Sequence, residues 1–252
     1  MRKHLLIAAS VCMALSTLVM TGCEEEDKDA ISMSEATKGA KPVQGKDGKD
    51  YMVVDLGLPS RYLWATCNIG ANTPDETGYF FAWAETEYNK STFGWNTYKY
   101  GNGDAFKATK YTMDPEHSAS KQLDSLTTLQ AEDDAAKVLL GDGWSIPTKT
   151  QFTDMINRCN WEIRKLEGTW GYLFTSKENG NTLFIPLAGF KDLNEVLHEG
   201  SYGFYWTKEL YSSSSDMAYN LQLKKPANPV ATKYGDRSTG QPIRAVYKAP
   251  KQ

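Results

Sequence analysis

Gly143-Trp144-Ser145-Ile146-Pro147-Thr148-Lys149-Thr150-Gln151-Phe152 reads as a short buried strand that runs straight into a helix. Ile146 precedes a proline, which biases it toward extended backbone. Pro147 cannot donate to a strand ladder and so ends the strand. Thr148 is then placed as an N-cap, with Gln151 three residues on at the reciprocal capping-box spacing. Phe152, Met155, Ile156 and Cys159 follow at i, i+3, i+4 and i+7, one apolar stripe on a helix that should reach about Arg158.

Upstream of this junction, Ala131–Leu140 is expected to be helical. Glu132, Asp133 and Asp134 would sit at its positive end, and Gly141 is a fitting stop. Tyr51–Leu56 and Tyr62–Cys67 read as strands, and Tyr79–Trp83 as a third, core strand. Residues 85–125 are polar, rich in Lys and Tyr, and broken by turn residues. A stretch that long without periodicity points to an excursive loop region. Downstream the chain is almost all β: Trp161–Leu166, Trp170–Ser176, Thr182–Leu187, Phe204–Thr207, Met217–Leu223 and Ile243–Lys248. Glu178-Asn179-Gly180-Asn181 is a hairpin turn between two of them. Phe204 and Trp206 alternate with Tyr205 and are expected to fill the core. Two helices early and many strands late define an α+β chain with an antiparallel sheet and long loops.

The N-terminus has a different character. Arg2-Lys3 precedes a mostly apolar run from Leu5 to Met20, too short for a membrane span and flanked like a signal peptide. Leu18-Val19-Met20-Thr21-Gly22-Cys23 resembles the bacterial lipobox, which implies cleavage after residue 22 and acylation of the Cys23 thiol. Glu24-Glu25-Glu26-Asp27 follows and resembles the surface-export signal of Bacteroidetes lipoproteins. Residues 23–50 hold few large apolar side chains and are expected to form a disordered tether. The folded domain is then expected over residues 51–248.

A chain of 252 residues with 40% hydrophobic content can bury one ordinary core. All seven Trp lie between Trp64 and Trp206, which marks the folded body. The formal charge is -3, and no basic block exceeds two residues, so the electrostatic footprint for nucleic acid is missing.

Several ordered stretches resemble the Fibrobacter succinogenes major paralogous domain. They are Val54–Ser60, Leu63–Gly70, Tyr79–Trp83, Asp133–Ala136, Gly143–Thr148, Ile185–Phe190, Gly203–Thr207 and Ile243–Val246. The likeness covers about Tyr51 to Tyr247 and departs at Arg61-Tyr62, Ser145, Gln151 and Thr207. That family resembles a branch of the C-type-lectin-like fold, shared with retroelement variable proteins and formylglycine-generating enzymes. The resemblance implies neighbouring domain termini and a ligand held by late loops, around residues 200–215 and 224–240.

The chemistry of the residues narrows the function. A formylglycine-generating enzyme needs a late cysteine pair, and no cysteine follows Cys159. Cys67 and Cys159 are left in the domain as a candidate disulfide or as two buried thiols. Closure of that loop would stabilise the fold by roughly 4–5 kcal/mol in the chain-entropy model. His117 and His198 lack ligand-spaced partners, so neither metal nor cofactor is expected. Ser212–Ser215 reads as a flexible hairpin tip rather than a nucleophile. No local motif supports a carboxylate pair for glycoside hydrolysis, which in any case needs no fixed spacing.

The late aromatics remain. Tyr211, Tyr219, Tyr234, Asp236 and Arg237 lie in or beside predicted loops and are the candidate ligand-binding residues, because flat amphipathic rings stack on sugar and peptide faces. The expectation is a non-enzymatic surface lipoprotein of the outer membrane. It would be anchored through lipid at Cys23 and bind a glycan or a protein. The alternatives are a carbohydrate-active or degenerate formylglycine-type enzyme, and a structural subunit of a surface filament or complex.

Overall fold

Thr148 caps its helix as the spacing requires. Its Oγ1 accepts from Gln151 N at 3.1 Å, and Gln151 Oε1 accepts from Thr148 N at 2.7 Å. The computed structural model describes residues 27–88, 90–226 and 230–248. Its elements begin with β1 (Ala30–Ile31), α1 (Met33–Ala36), β2 (Ala40–Gln44), β3 (Asp50–Val54) and β4 (Leu63–Ala65). After the long excursion come α2 (Ala135–Leu140), β5 (Trp144–Ser145), the capped α3 (Lys149–Arg158), β6 (Cys159–Leu166), β7 (Thr169–Ser176) and β8 (Thr182–Pro186). The chain closes with β9 (Phe190–Asp192), β10 (Glu195–Leu197), β11 (Tyr202–Leu210), β12 (Met217–Lys224), β13 (Val230–Asp236) and β14 (Val246–Tyr247).

The class is mixed α+β, dominated by sheet. One five-stranded sheet has the order β2-β3-β4-β14-β5, every pair antiparallel. In it β14 lies between β4 and β5, so the end of the domain pairs with its beginning. A second sheet has the order β1-β6-β7-β8, and a third β11-β12-β13. Helix α3 buries Phe152 and Met155 completely, in a cluster with Trp64, Tyr172, Tyr205 and Leu221. The neighbouring cluster gathers Phe81, Trp83, Trp144, Trp206 and Ala218. Both faces of β11 are thus covered, which decides how its aromatics are shared out. Tyr205 and Trp206 are both fully buried, one in each cluster. Phe204, expected in the core, is instead partly exposed and packs against Phe190 and Tyr202.

Three further expectations are corrected. Residues 27–50 were expected to be a disordered tether, but β1, α1 and β2 belong to the folded body. Ser32 caps α1, Ala36 is fully buried beside Leu166, Leu173 and Phe184, and β2 pairs with β3 over five residues. Ladder hydrogen bonds and the few apolar side chains the segment does hold, Ile31 and Met33 against the Ala36 cluster and Val43 against the main core, order it. Tyr79–Trp83 is not a strand. Phe81 makes one isolated bridge to Gln241, and Trp83 N donates to Arg237 O instead of continuing a ladder. The helix expected over Ala131–Leu140 breaks at Asp134. That carboxylate accepts from both Lys137 N and Ile146 N, so it ends a 3-10 turn and caps α2.

Candidate functional site

Tyr211, Tyr219 and Tyr234 come together from three places in the chain. β11 ends at Leu210, and Tyr211 N donates to Met217 O to close the hairpin to β12. Tyr219 on β12 stands opposite Tyr234 on β13 in the antiparallel register. Tyr211 stacks on Tyr234 with centroids 4.0 Å apart and planes 16° from parallel. It meets Tyr219 edge-on at 5.3 Å. Tyr234 is 47% exposed, so the cluster presents a ring to solvent.

A fourth member was missed in the sequence. Lys149, the first residue of α3, holds its Nζ 4.1 Å from the Tyr219 ring centroid, within cation–π range. Its backbone N–H donates to Glu209 Oε2 at 3.0 Å. Nothing in the local pattern marks Lys149, because its ring partner lies seventy positions later on another element.

Asp236 and Arg237 are drawn elsewhere. Asp236 accepts from Trp95 Nε1 at 2.9 Å and from the Ser238 backbone and hydroxyl at 2.8 Å. Arg237, expected on a ligand-facing loop, is fully buried. Its Nη1 donates to Tyr111 O at 3.1 Å and Nη2 to Lys110 O at 2.9 Å, with the Tyr98 ring 5.2 Å from the guanidinium. A guanidinium can hold two backbone carbonyls at once, and here it pins an excursion that has no ladder of its own.

The same excursion is tied by carboxylates. Asp133 is fully buried and accepts from Lys110 Nζ at 2.6 Å, Tyr111 OH at 2.7 Å, Lys99 Nζ at 3.2 Å and Tyr100 OH. Burial alone would raise its pKa. The hydrogen bonds from Lys110 and the two tyrosines outweigh that and hold it below the ordinary carboxylate range. Asp114 is pulled the same way. Despite burial, its bonds from His117 and Ser215 bring it down to about 2.

Ser215, expected at a flexible tip, is fully buried. Its Oγ donates to Asp114 Oδ2 at 2.8 Å, and Met113 N donates to Oγ at 2.7 Å. His117 Nδ1 lies 2.6 Å from Asp114 Oδ1. The carboxylate stands between serine and histidine, so His117 is not in place to take the hydroxyl proton as a base would. Among the described residues no group of three or more His, Cys, Asp or Glu could hold a metal ion.

Cys67 and Cys159 are both free thiols. Cys159 is buried beside α3, and burial pushes its pKa up to about 11. Cys67 sits on the chain after β4, half-buried, between Thr66 and the carbonyl of Asn72. The candidate disulfide is therefore not formed. Cys23 and the signal segment lie outside the described residues. No helix among the described residues is long and apolar enough to cross a membrane. No protein-family model, curated protein or solved structure matches the chain.

Proposed function

We propose that this chain is a surface lipoprotein that binds a glycan or a protein at the Tyr211–Tyr219–Tyr234 cluster and leaves its ligand chemically unchanged. The observation that carries the reading is the exposed Tyr234 ring, held flat against Tyr211 with the Lys149 cation alongside. A rigid aromatic face with a fixed cation suits sugar rings and peptide side chains, at small entropic cost to the protein. The C-type-lectin-like reading belongs to the same proposal. It is supported by the ordered sequence motifs and by the pairing of β14 with β4. Anchoring in the outer membrane through Cys23 is supported by the lipobox-like Leu18–Cys23 and the acidic residues after it.

Glycan-array and envelope-protein screening of the mature chain tests this. The probe must begin ahead of Asp27, since β1, α1 and β2 are part of the body. Binding that disappears in Tyr234→Ala supports the reading. Turnover of a captured ligand, or binding indifferent to Tyr211→Ala and Tyr234→Ala together, refutes it.

A further inference from the structure

A cleft of about 420 Å³ is built from other parts of the chain: the start of β3 and the turn before it, the end of α2 and the loop after β4. That volume is within the range of small-molecule sites. Ala65, Ile69 and Leu140 are buried in its floor, while Met52 and Tyr79 are 43% and 39% exposed at its mouth. The Tyr79 ring lies on Tyr88 with centroids 4.1 Å apart and planes 3° from parallel. Gly70, at φ +86°, makes room for it: a Cβ there would meet the Tyr79 ring at 2.4 Å.

The lining also carries polar groups, among them Asp47, Lys49, Asp50, Asn68 and Asn72. Asn68 is 2% exposed. Its Nδ2 donates to Thr77 O at 2.9 Å, which fixes the amide and makes Oδ1 the other end. Oδ1 has no partner among the described residues. A buried acceptor left unpaired costs about 1–3 kcal/mol, and Oδ1 is itself sealed from the open cleft. At the mouth, Asp47 and Asp50 face the single positive charge of Lys49. Asp47 is engaged by Tyr51 OH and Lys49 N. The Asp50 carboxylate has no hydrogen bond or ion pair among the described residues.

We propose that this cleft binds a small amphipathic cation, a flat apolar ring against Met52, Leu139 and Tyr79 with an ammonium toward Asp50. An anion would meet the Asp47 and Asp50 carboxylates at the mouth. The site shares no residue with the tyrosine cluster, so it stands or falls independently of the reading above.

Cys67 lines the cleft, and Cys159 is buried, so Cys67 is a built-in reporter. Burial raises its pKa, which makes alkylation slow and measurable at mildly alkaline pH. The experiment follows N-ethylmaleimide addition at Cys67 in the full chain by peptide mass spectrometry. Tryptamine, indole and indole-3-acetate are added in separate arms. Tryptamine in excess should slow labelling about tenfold, indole less, and indole-3-acetate not at all. Asp50 is exposed, and Asp50→Asn should keep the unliganded labelling rate while losing most of the tryptamine protection. Labelling indifferent to tryptamine, equal protection by indole-3-acetate, or full protection surviving Asp50→Asn each overturns the proposal.

Discussion

Tyr211, just past the end of β11, and Tyr234, on β13, share one stack, although twenty-two residues and the whole of β12 separate them. The pair depends on register: Tyr219 opposite Tyr234 is what brings the Tyr211 ring into contact. Since Tyr234 is nearly half exposed, Tyr234→Ala removes a contact worth about 0.5–1.5 kcal/mol and leaves no cavity. The expected result is near-normal thermal unfolding with ligand binding reduced at least tenfold, or by about 1.4 kcal/mol. Calorimetry on wild type and variant, against whichever ligand the screen returns, checks both parts.

Arg237 acts on stability instead. Arg237→Met fills much of the same space but strands the carbonyls of Tyr111 and Lys110 in a buried setting. Two acceptors left unpaired predict a loss of about 3 kcal/mol. Arg237→Lys should recover only part of it, because an ammonium cannot reproduce the planar fork. Urea unfolding gives the magnitude. Hydrogen exchange should show the loss of protection concentrated in residues 110–125, and uniform loss would contradict the pinning role.

The parts of the fold legible in the sequence were those set by local rules. The Thr148/Gln151 cap, the α3 stripe and the turn between β7 and β8 each need only neighbours within a few positions. What escaped was set by distant partners. Asp133 looked like one of three helix acids, and only its approach to Lys110 and Tyr111 turns it inward. The stretch of β13 looked like loop because its strand character comes from pairing with β12, not from an apolar pattern. At the candidate site three tyrosines were foreseen as individuals. Their convergence was not, and Arg237 was misplaced because a buried guanidinium and a surface one have the same letter.

Residues 27–44 provide a direct test of the corrected N-terminal boundary. Their removal strips β2 from β3 and uncovers Leu166, Leu173 and Phe184 where α1 had packed. Re-exposure of two or three large apolar side chains predicts a loss on the order of 3–5 kcal/mol. A chain beginning at residue 45 should melt well below one beginning at residue 24. Equal melting temperatures would return the segment to the status of a tether.

The thiols make a sharper distinction. With Cys67 and Cys159 both free, denatured protein should release two domain thiols to titration whether or not it was first reduced. A disulfide would hide both until reductant was added. In the native state only Cys67 should react, and Cys159 should stay silent until the core opens, since it is 1% exposed and its pKa is raised to about 11.

Acid should loosen the excursion through Asp114. Its folded pKa of about 2 lies below the ordinary 3.8, so its hydrogen bonds to His117 and Ser215 favour the folded state fully above pH 3.8. That contribution fades as the pH falls from 3.8 through about 2, where the folded carboxylate also takes up its proton. The carboxylate is partly solvated, so screening reduces the effect to about 1 kcal/mol. Asp114→Asn should therefore be less stable than wild type at neutral pH and lose less stability over that acid window. Parallel urea titrations at stepped pH values check it. Identical acid slopes for the two proteins would show that Asp114 does not carry the dependence and that other depressed carboxylates, Asp133 first among them, do.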